Sequence, residues 1–307
     1  MPSLQRLHAS PHPVVAVVSQ PDRPRGRGRR AGASPVAHQA EGLGLTLLRP
    51  ERVGARNAVE ALAAHAPDLG VVVAFGQFLP RRVLELPRLG YLINAHASLL
   101  PRHRGAAPIA HAILAGDAET GISVMRVERE MDAGPVALVR RTPIGPEEDA
   151  GQLAARLAEL AAEALVEAVD RIAADRICWT PQDDALASFA PKIARDDARL
   201  DFHLPAAMLV RQIRAMAPRP GAFTHLEGQP LRILTARAEP GTVDAPPGVV
   251  RREGAQLRIA TGAGWLRPER LQRAGGRVLD VESFARGSAL RDGSRLGNGR
   301  GAATLED

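Results

Sequence analysis

Cysteine is nearly missing from this sequence: Cys178 is the only one in 307 residues. A lone thiol excludes an internal disulfide and has no cysteine partner for a thiolate metal site. It fits a reducing compartment, the cytoplasm. Aromatic side chains make up 3% of the chain, so the core has to be built from Leu, Val, Ala and Ile. No apolar run reaches the roughly 18 residues that a membrane-crossing helix needs, and the opening MPSLQRLHAS lacks the apolar stretch of a secretory signal. Lysine is almost gone as well. Lys192 stands alone, and arginine supplies nearly all the positive charge in a chain of net charge +6 and sequence pI near 10.8. Much of that arginine is compositional, but its clustering is not. Arg23, Arg25, Arg27, Arg29 and Arg30 fall within the eight residues RPRGRGRR. Such density points to an anionic partner such as a nucleic-acid backbone.

The length suggests two domains. Apolar runs at 14–18, 45–50, 71–76 and 91–96 predict buried strands, and 122–127 and 136–141 predict two more that are antiparallel or near an edge. Helical patterns at 34–44, 58–70 and 107–117 lie between them. Continuous apolar strands alternating with helices predict a mostly parallel sheet covered on both faces, a Rossmann-like doubly wound α/β domain. A long helix over 152–173 closes it, with Leu153, Leu157, Leu160, Ala164, Val169 and Ile172 on one face at three-four spacing. From residue 177 the chain turns polar and aperiodic, as a linker does. A short helix at 206–216 follows, then short glycine-separated strands at 230–238, 248–252, 256–262 and 264–272, the pattern of a small OB-like β-barrel. The expected division is 1–176, a linker at 177–196, a barrel at 197–298 and a disordered tail at 299–307.

Ligands bind at the carboxyl ends of strands in an open parallel sheet. The strand at 91–96 ends in Asn94 and His96, two apart and so on one side of an extended backbone. Asp132, in MDAGPV, follows another strand and precedes a glycine turn. An amide, an imidazole and a carboxylate support acyl transfer without a covalent intermediate. Amide and ring N–H groups stabilise an oxyanion, while the carboxylate sets the histidine's protonation or carries protons. Ser98 lies nearby but is better placed to cap or bind than to attack. On residue chemistry alone, Asn-x-His at a strand end and Asp before Gly serve structure as readily as catalysis.

The segments QPDRPRGRGRR with SPV, VVVAFGQFLP, NAHASLLPRHRGAAPIAHAILAGDAETGISVMRVEREMDAGPV, FAPKI and RPGAF resemble, in order and over nearly the whole chain, the methionyl-tRNA formyltransferase family. These are 10-formyltetrahydrofolate-dependent enzymes. Relatives that formylate glycinamide ribonucleotide or a nucleotide sugar share the central block but not this combination. The resemblance implies formyl transfer from 10-formyltetrahydrofolate, with no metal, to the α-amino group of methionyl initiator tRNA. It implies catalytic roles for Asn94, His96 and Asp132. It places Phe75, Gly76, Ser98, Leu99, Leu100 and Pro101 around the folate, and Arg23, Arg25, Arg27, Arg29, Arg30 and Lys192 on the tRNA path. A cytoplasmic monomer is expected, with no membrane partner. Relatives open with a strand and glycine turn before the segment matching PSLQRL. The resemblance therefore implies that a central strand is missing here, and with it up to about 8–15 kcal/mol of apolar burial.

Overall fold

The computed structural model describes residues 1–25, 30–254, 256–287 and 290–297. Arg27, Arg29 and the tail expected over 299–307 lie outside the described residues. Two compact units emerge. The first comprises Met1–Pro108, Glu119–Pro143 and Ala154–Pro191; the second takes Ile109–Ala118, Ile144–Leu153 and the chain from Lys192 onward. The stretch expected as a linker is thus divided. Through Pro191 it belongs to the first unit, where Val136 and Thr180 exchange backbone bonds of 2.8 and 2.9 Å.

The first half of the chain runs α1 (Pro2–His8), β1 (Val17–Val18), β2 (Arg23–Arg25), β3 (Arg30–Gly32), α2 (Pro35–Gly42), β4 (Leu47–Leu48), α3 (Arg56–Ala63), β5 (Gly70–Val72), α4 (Arg81–Leu84), β6 (Leu92–His96), α5 (Pro108–Ala115), β7 (Glu119–Arg126), β8 (Val136–Pro143) and α6 (Ala150–Ala173). The parallel pairs are β1 with β4 and β5 with β6; β7 and β8 extend the second ladder antiparallel, in the order β5-β6-β7-β8. The two ladders do not pair with each other among the described residues. Instead Gln20, just past β1, donates its amide to the carbonyl of Phe75 beyond β5 at 2.7 Å. Val18 and Val72 pack on one apolar cluster around Val53, Val83 and Leu92.

Local chemistry explains the element boundaries. Ser34 caps α2 by accepting from the Ala37 amide, and Pro35 takes the first helical position, where its missing N–H costs nothing. The arginine-rich segment is not a plain loop: Arg23–Arg25 and Arg30–Gly32 pair as an antiparallel hairpin. On α6 the buried stripe is Leu153, Leu157, Ala161, Ala164, Leu165 and Ala168, with Val169 beside it. Leu160 and Ile172 sit at its margin, half-buried.

The second unit contains α7 (Ala206–Met216), β9 (Phe223–Leu226), β10 (Gln229–Glu239), β11 (Val250–Glu253), β12 (Gln256–Ala260), β13 (Trp265–Arg273), β14 (Val278–Asp280) and α8 (Val281–Arg286). The antiparallel order is β11-β12-β13-β10-β9, with β14 on β13. The expected barrel does not close by a direct ladder. Its edges, β9 and β11, are joined through residues 295–297: Leu296 N–H reaches the Gly248 carbonyl at 2.8 Å and Gly297 N–H the His225 carbonyl at 3.1 Å. Gly248 permits this approach. Its φ is +85°, and a Cβ there would lie 2.4 Å from the Leu296 oxygen. Leu209, Ile213 and Met216 of α7 are fully buried, as are Leu231 and Ile233 of β10.

Neighbours on α7 give a paired test. Leu209 is fully buried and Met208 is exposed. Leu209→Ala is expected to lower unfolding stability by about 2–5 kcal/mol, and Met208→Ala by no more than about 0.5 kcal/mol. Guanidinium unfolding of the intact chain measures both.

Candidate active site

The β5–β6 ladder ends where Val72 faces Asn94, while the β6–β7 ladder continues to His96 opposite Ser123. Asn94 and His96 therefore stand at the carboxyl end of β6 with the β5 side open. Ile93, fully buried, anchors the strand from the other side of the backbone. His96 is buried. Asn94 is half-buried and makes no side-chain hydrogen bond among the described residues, so its N–H donors are uncommitted.

The stiff loop after β6 folds back on the histidine. His96 Nε2 lies 2.9 Å from the carbonyl of His103. A carbonyl only accepts, so Nε2 carries a hydrogen there. Nδ1 is then the proton-accepting atom of the neutral ring, and it faces Asp132 Oδ2 at 3.5 Å. That is an ion-pair distance rather than a formed hydrogen bond. The same Oδ2 accepts from the Gly105 amide at 2.8 Å. Residues 103 and 105 thus hold both members of the His96–Asp132 pair.

Further bonds fix that loop. Ser98 Oγ donates to the Arg102 carbonyl at 2.6 Å. Ser123 Oγ donates to the Ser98 carbonyl at 2.8 Å and accepts from the Leu100 amide at 3.1 Å. On the far side, His103 N–H reaches Ser188 Oγ at 2.9 Å, Arg104 N–H the Ser188 carbonyl at 2.8 Å, and Ala190 N–H the Arg104 carbonyl at 2.7 Å. Gly105 has φ +125°, and a Cβ there would come within 2.6 Å of the Ala190 oxygen.

Other expected residues fall as follows. Ser98 is buried, Leu99, Leu100 and Pro101 are half-buried on the same loop, and Phe75 is half-buried beside an exposed Gly76. Arg23 is exposed at the base of the hairpin, 3.3 Å from Gln20 Oε1. Arg25 and Arg30 face each other across the hairpin backbone. Lys192 is exposed in the second unit and pairs with no carboxylate among the described residues. Two residues given no role from the sequence are built into the site. Arg104 is buried with its guanidinium on Gln182 and Asp184, and Gln182 touches the Asp132 turn. The arginine lies in the block PRHRG, but the glutamine lies in a stretch with no periodic signal. Among the described residues no group of three His, Cys, Asp or Glu is placed to hold a metal ion, and no helix is long and apolar enough to cross a membrane.

An amide with uncommitted donors, an imidazole whose Nε2 carries a hydrogen and a carboxylate beside it are groups that direct acyl transfer can use, and Ser98 spends its hydroxyl on the Arg102 carbonyl. Known proteins give that class a sharper outline. Residues 3–169 match the family described as formyl transferase, and residues 192–289 match the formyl transferase C-terminal domain. A methionyl-tRNA formyltransferase of Methylococcus capsulatus is 46% identical over 297 residues, covering 97% of this chain and 96% of that protein. An N-formyltransferase from Helicobacter canadensis, solved with folinic acid and dTDP-3-aminofucose, superposes with a TM-score of 0.63 at 14% identity, over 89% of this chain and 94% of that one. HypX from Aquifex aeolicus, solved with tetrahydrofolic acid, gives a TM-score of 0.58 at 20% identity over 80% of this chain; the match spans 43% of that longer protein. The last two define the fold. The chain belongs to the formyl transferases and, within them, to the methionyl-tRNA formyltransferase family.

Gly105→Ala tests whether the folded-back loop is needed. The added methyl has to displace the Ala190 carbonyl, and with it the amide that holds Asp132. Formyl transfer is expected to fall on the order of 10²-fold in a protein whose far-ultraviolet circular dichroism is unchanged; activity within twofold of the parent would show that the loop tolerates the shift.

Proposed function

We propose that this chain transfers the formyl group of 10-formyltetrahydrofolate to the α-amino group of methionyl initiator tRNA, in support of translation initiation, with Asn94, His96 and Asp132 as its catalytic residues. The observation that carries the reading is the meeting of His96 Nδ1 and Asp132 Oδ2 beside the uncommitted amide of Asn94. The methionyl α-amine, once deprotonated, attacks the formyl carbon and a tetrahedral adduct forms. Asn94 donates to the oxygen as it gains negative charge. His96 already spends its Nε2 hydrogen on His103, so Asn94 is the main oxyanion donor. His96 takes up the proton shed by the attacking nitrogen at Nδ1, and Asp132 stabilises the imidazolium that results. The proton passes on to N10 of the folate as the bond from N10 to the formyl carbon breaks. Formyl-methionyl-tRNA and tetrahydrofolate leave, and no metal takes part.

Phe75, Gly76, Ser98, Leu99, Leu100 and Pro101 border the folate in this reading. Its pterin meets a wall held rigid by the Ser98 and Ser123 hydroxyls. Arg23, Arg25 and Arg30 of the paired strands, with Arg27, Arg29 and Lys192, meet the tRNA backbone. A hairpin suits this task better than a free loop, because less order has to be gained on binding. The enzyme acts as a monomer in the cytoplasm.

Asn94→Ala is expected to lower kcat on the order of 10²–10³-fold, with KM for both substrates nearly unchanged. A rise in KM with kcat kept would instead make Asn94 a ground-state binding residue. Affinity for methionyl initiator tRNA should fall with salt at a log–log slope of roughly 0.7–0.9 per neutralised phosphate, and Arg23→Ala should lower that slope by about one. A slope unchanged by Arg23→Ala would take the hairpin off the tRNA path.

A further inference from the structure

We propose that Gln182 is a positioning residue for formyl transfer, clamping the Asp132 turn from outside and taking its own orientation from Arg104. The inference rests on the reading of Asp132 as catalytic.

The side-chain amide of Gln182 is used in full. Its Nε2 donates to the carbonyls of Asp132 and Gly134 at 2.8 and 2.7 Å. Its Oε1 accepts from Arg104 Nε and Nη2 at 3.0 and 2.9 Å. Arginine only donates and a backbone carbonyl only accepts. One orientation of the amide therefore satisfies all four bonds, and turning it over would oppose like dipoles at both ends. Arg104 is held in turn, with its side chain buried and Nη2 2.7 Å from Asp184 Oδ1.

The turn has little else to hold it. Asp132 has φ +54°, a left-handed conformation that Asp tolerates better than most side chains but that still stores some strain. Within the turn the one local backbone bond, Ala133 N–H to the Glu130 carbonyl, is long at 3.4 Å. Gly134, the other residue that Gln182 holds, is pressed against β7: a Cβ there would lie 2.1 Å from the Arg126 oxygen. Gln182 is itself carried into place by the backbone bonds between Thr180 and Val136. The carboxylate of Asp132 is thus fixed from two directions, by the Gly105 amide on its oxygen and by Gln182 on its backbone. A carboxylate at 182 would keep the contact to Arg104 but would set an oxygen against two carbonyl oxygens.

Gln182→Glu, Asp132→Asn and the double variant separate the possibilities, measured as kcat and KM for 10-formyltetrahydrofolate and methionyl initiator tRNA, with a thermal midpoint for each protein. Gln182→Glu is expected to lower kcat on the order of 10²-fold with both KM values within about twofold. In the Asp132→Asn background the same change should cost under about threefold, since the two residues act as one unit. If Asp132→Asn keeps the parental kcat, the catalytic reading of Asp132 fails and the clamp has nothing to position. If Asp132→Asn is impaired while Gln182→Glu is not, or if the two losses multiply independently, the positioning role is wrong. Should Gln182→Glu fail to fold, Gln182→Met, of similar size and lacking all four bonds, carries the same comparison.

Discussion

The unequal pairing of β6 is the constraint on which the site depends. On one side its ladder with β5 stops at Asn94; on the other its ladder with β7 continues to His96. Two polar side chains are therefore held on a strand whose backbone is fixed from one edge and open at the other. The β7 side satisfies the backbone to the end of the strand, while the β5 side stops pairing at Asn94. The proline-rich loop that follows cannot continue a strand or begin a helix at once. It folds back, and its carbonyl at 103 and amide at 105 meet the two groups whose chemistry has to be set, His96 and Asp132.

Charge and hydrogen-bond polarity support the proposed roles. The His103 carbonyl commits Nε2 to carry a hydrogen, which leaves Nδ1 to exchange a proton beside Asp132. Asp132 accepts a backbone amide and remains an acceptor toward the ring. Asn94 is left as the residue with donors to spend.

Much of this architecture was legible in the sequence because it is periodic. Continuous apolar runs marked β5 and β6, the register of the 152–173 helix marked α6, and 122–127 and 136–141 were expected as strands antiparallel or near an edge, where β7 and β8 lie. The stripe on α6 was misjudged by part of a turn: Ala161, Leu165 and Ala168 are buried where Leu160 and Ile172 were expected. Small alanines let the helix approach its neighbours along that line, which a count of large apolar residues does not reveal. RPRGRGRR hid a hairpin because its pairing is carried by backbone groups, which leave no side-chain signature. Gln182 was invisible for a different reason. A side-chain amide that bonds to carbonyls of a distant turn follows no spacing, and it lies in a segment whose polarity resembles a linker. The triad was legible as residue types at a strand end and a turn, but the commitment of each nitrogen required the loop to be seen folded back.

The most direct measurement is formyl transfer from 10-formyltetrahydrofolate by this chain, with methionyl initiator tRNA and an amino-sugar nucleotide offered as separate acceptors. Accumulation of formyl-methionyl-tRNA, with little product from the sugar, is the predicted result. A folded protein that formylates the sugar nucleotide and leaves the tRNA untouched would contradict the account, and so would one that formylates neither.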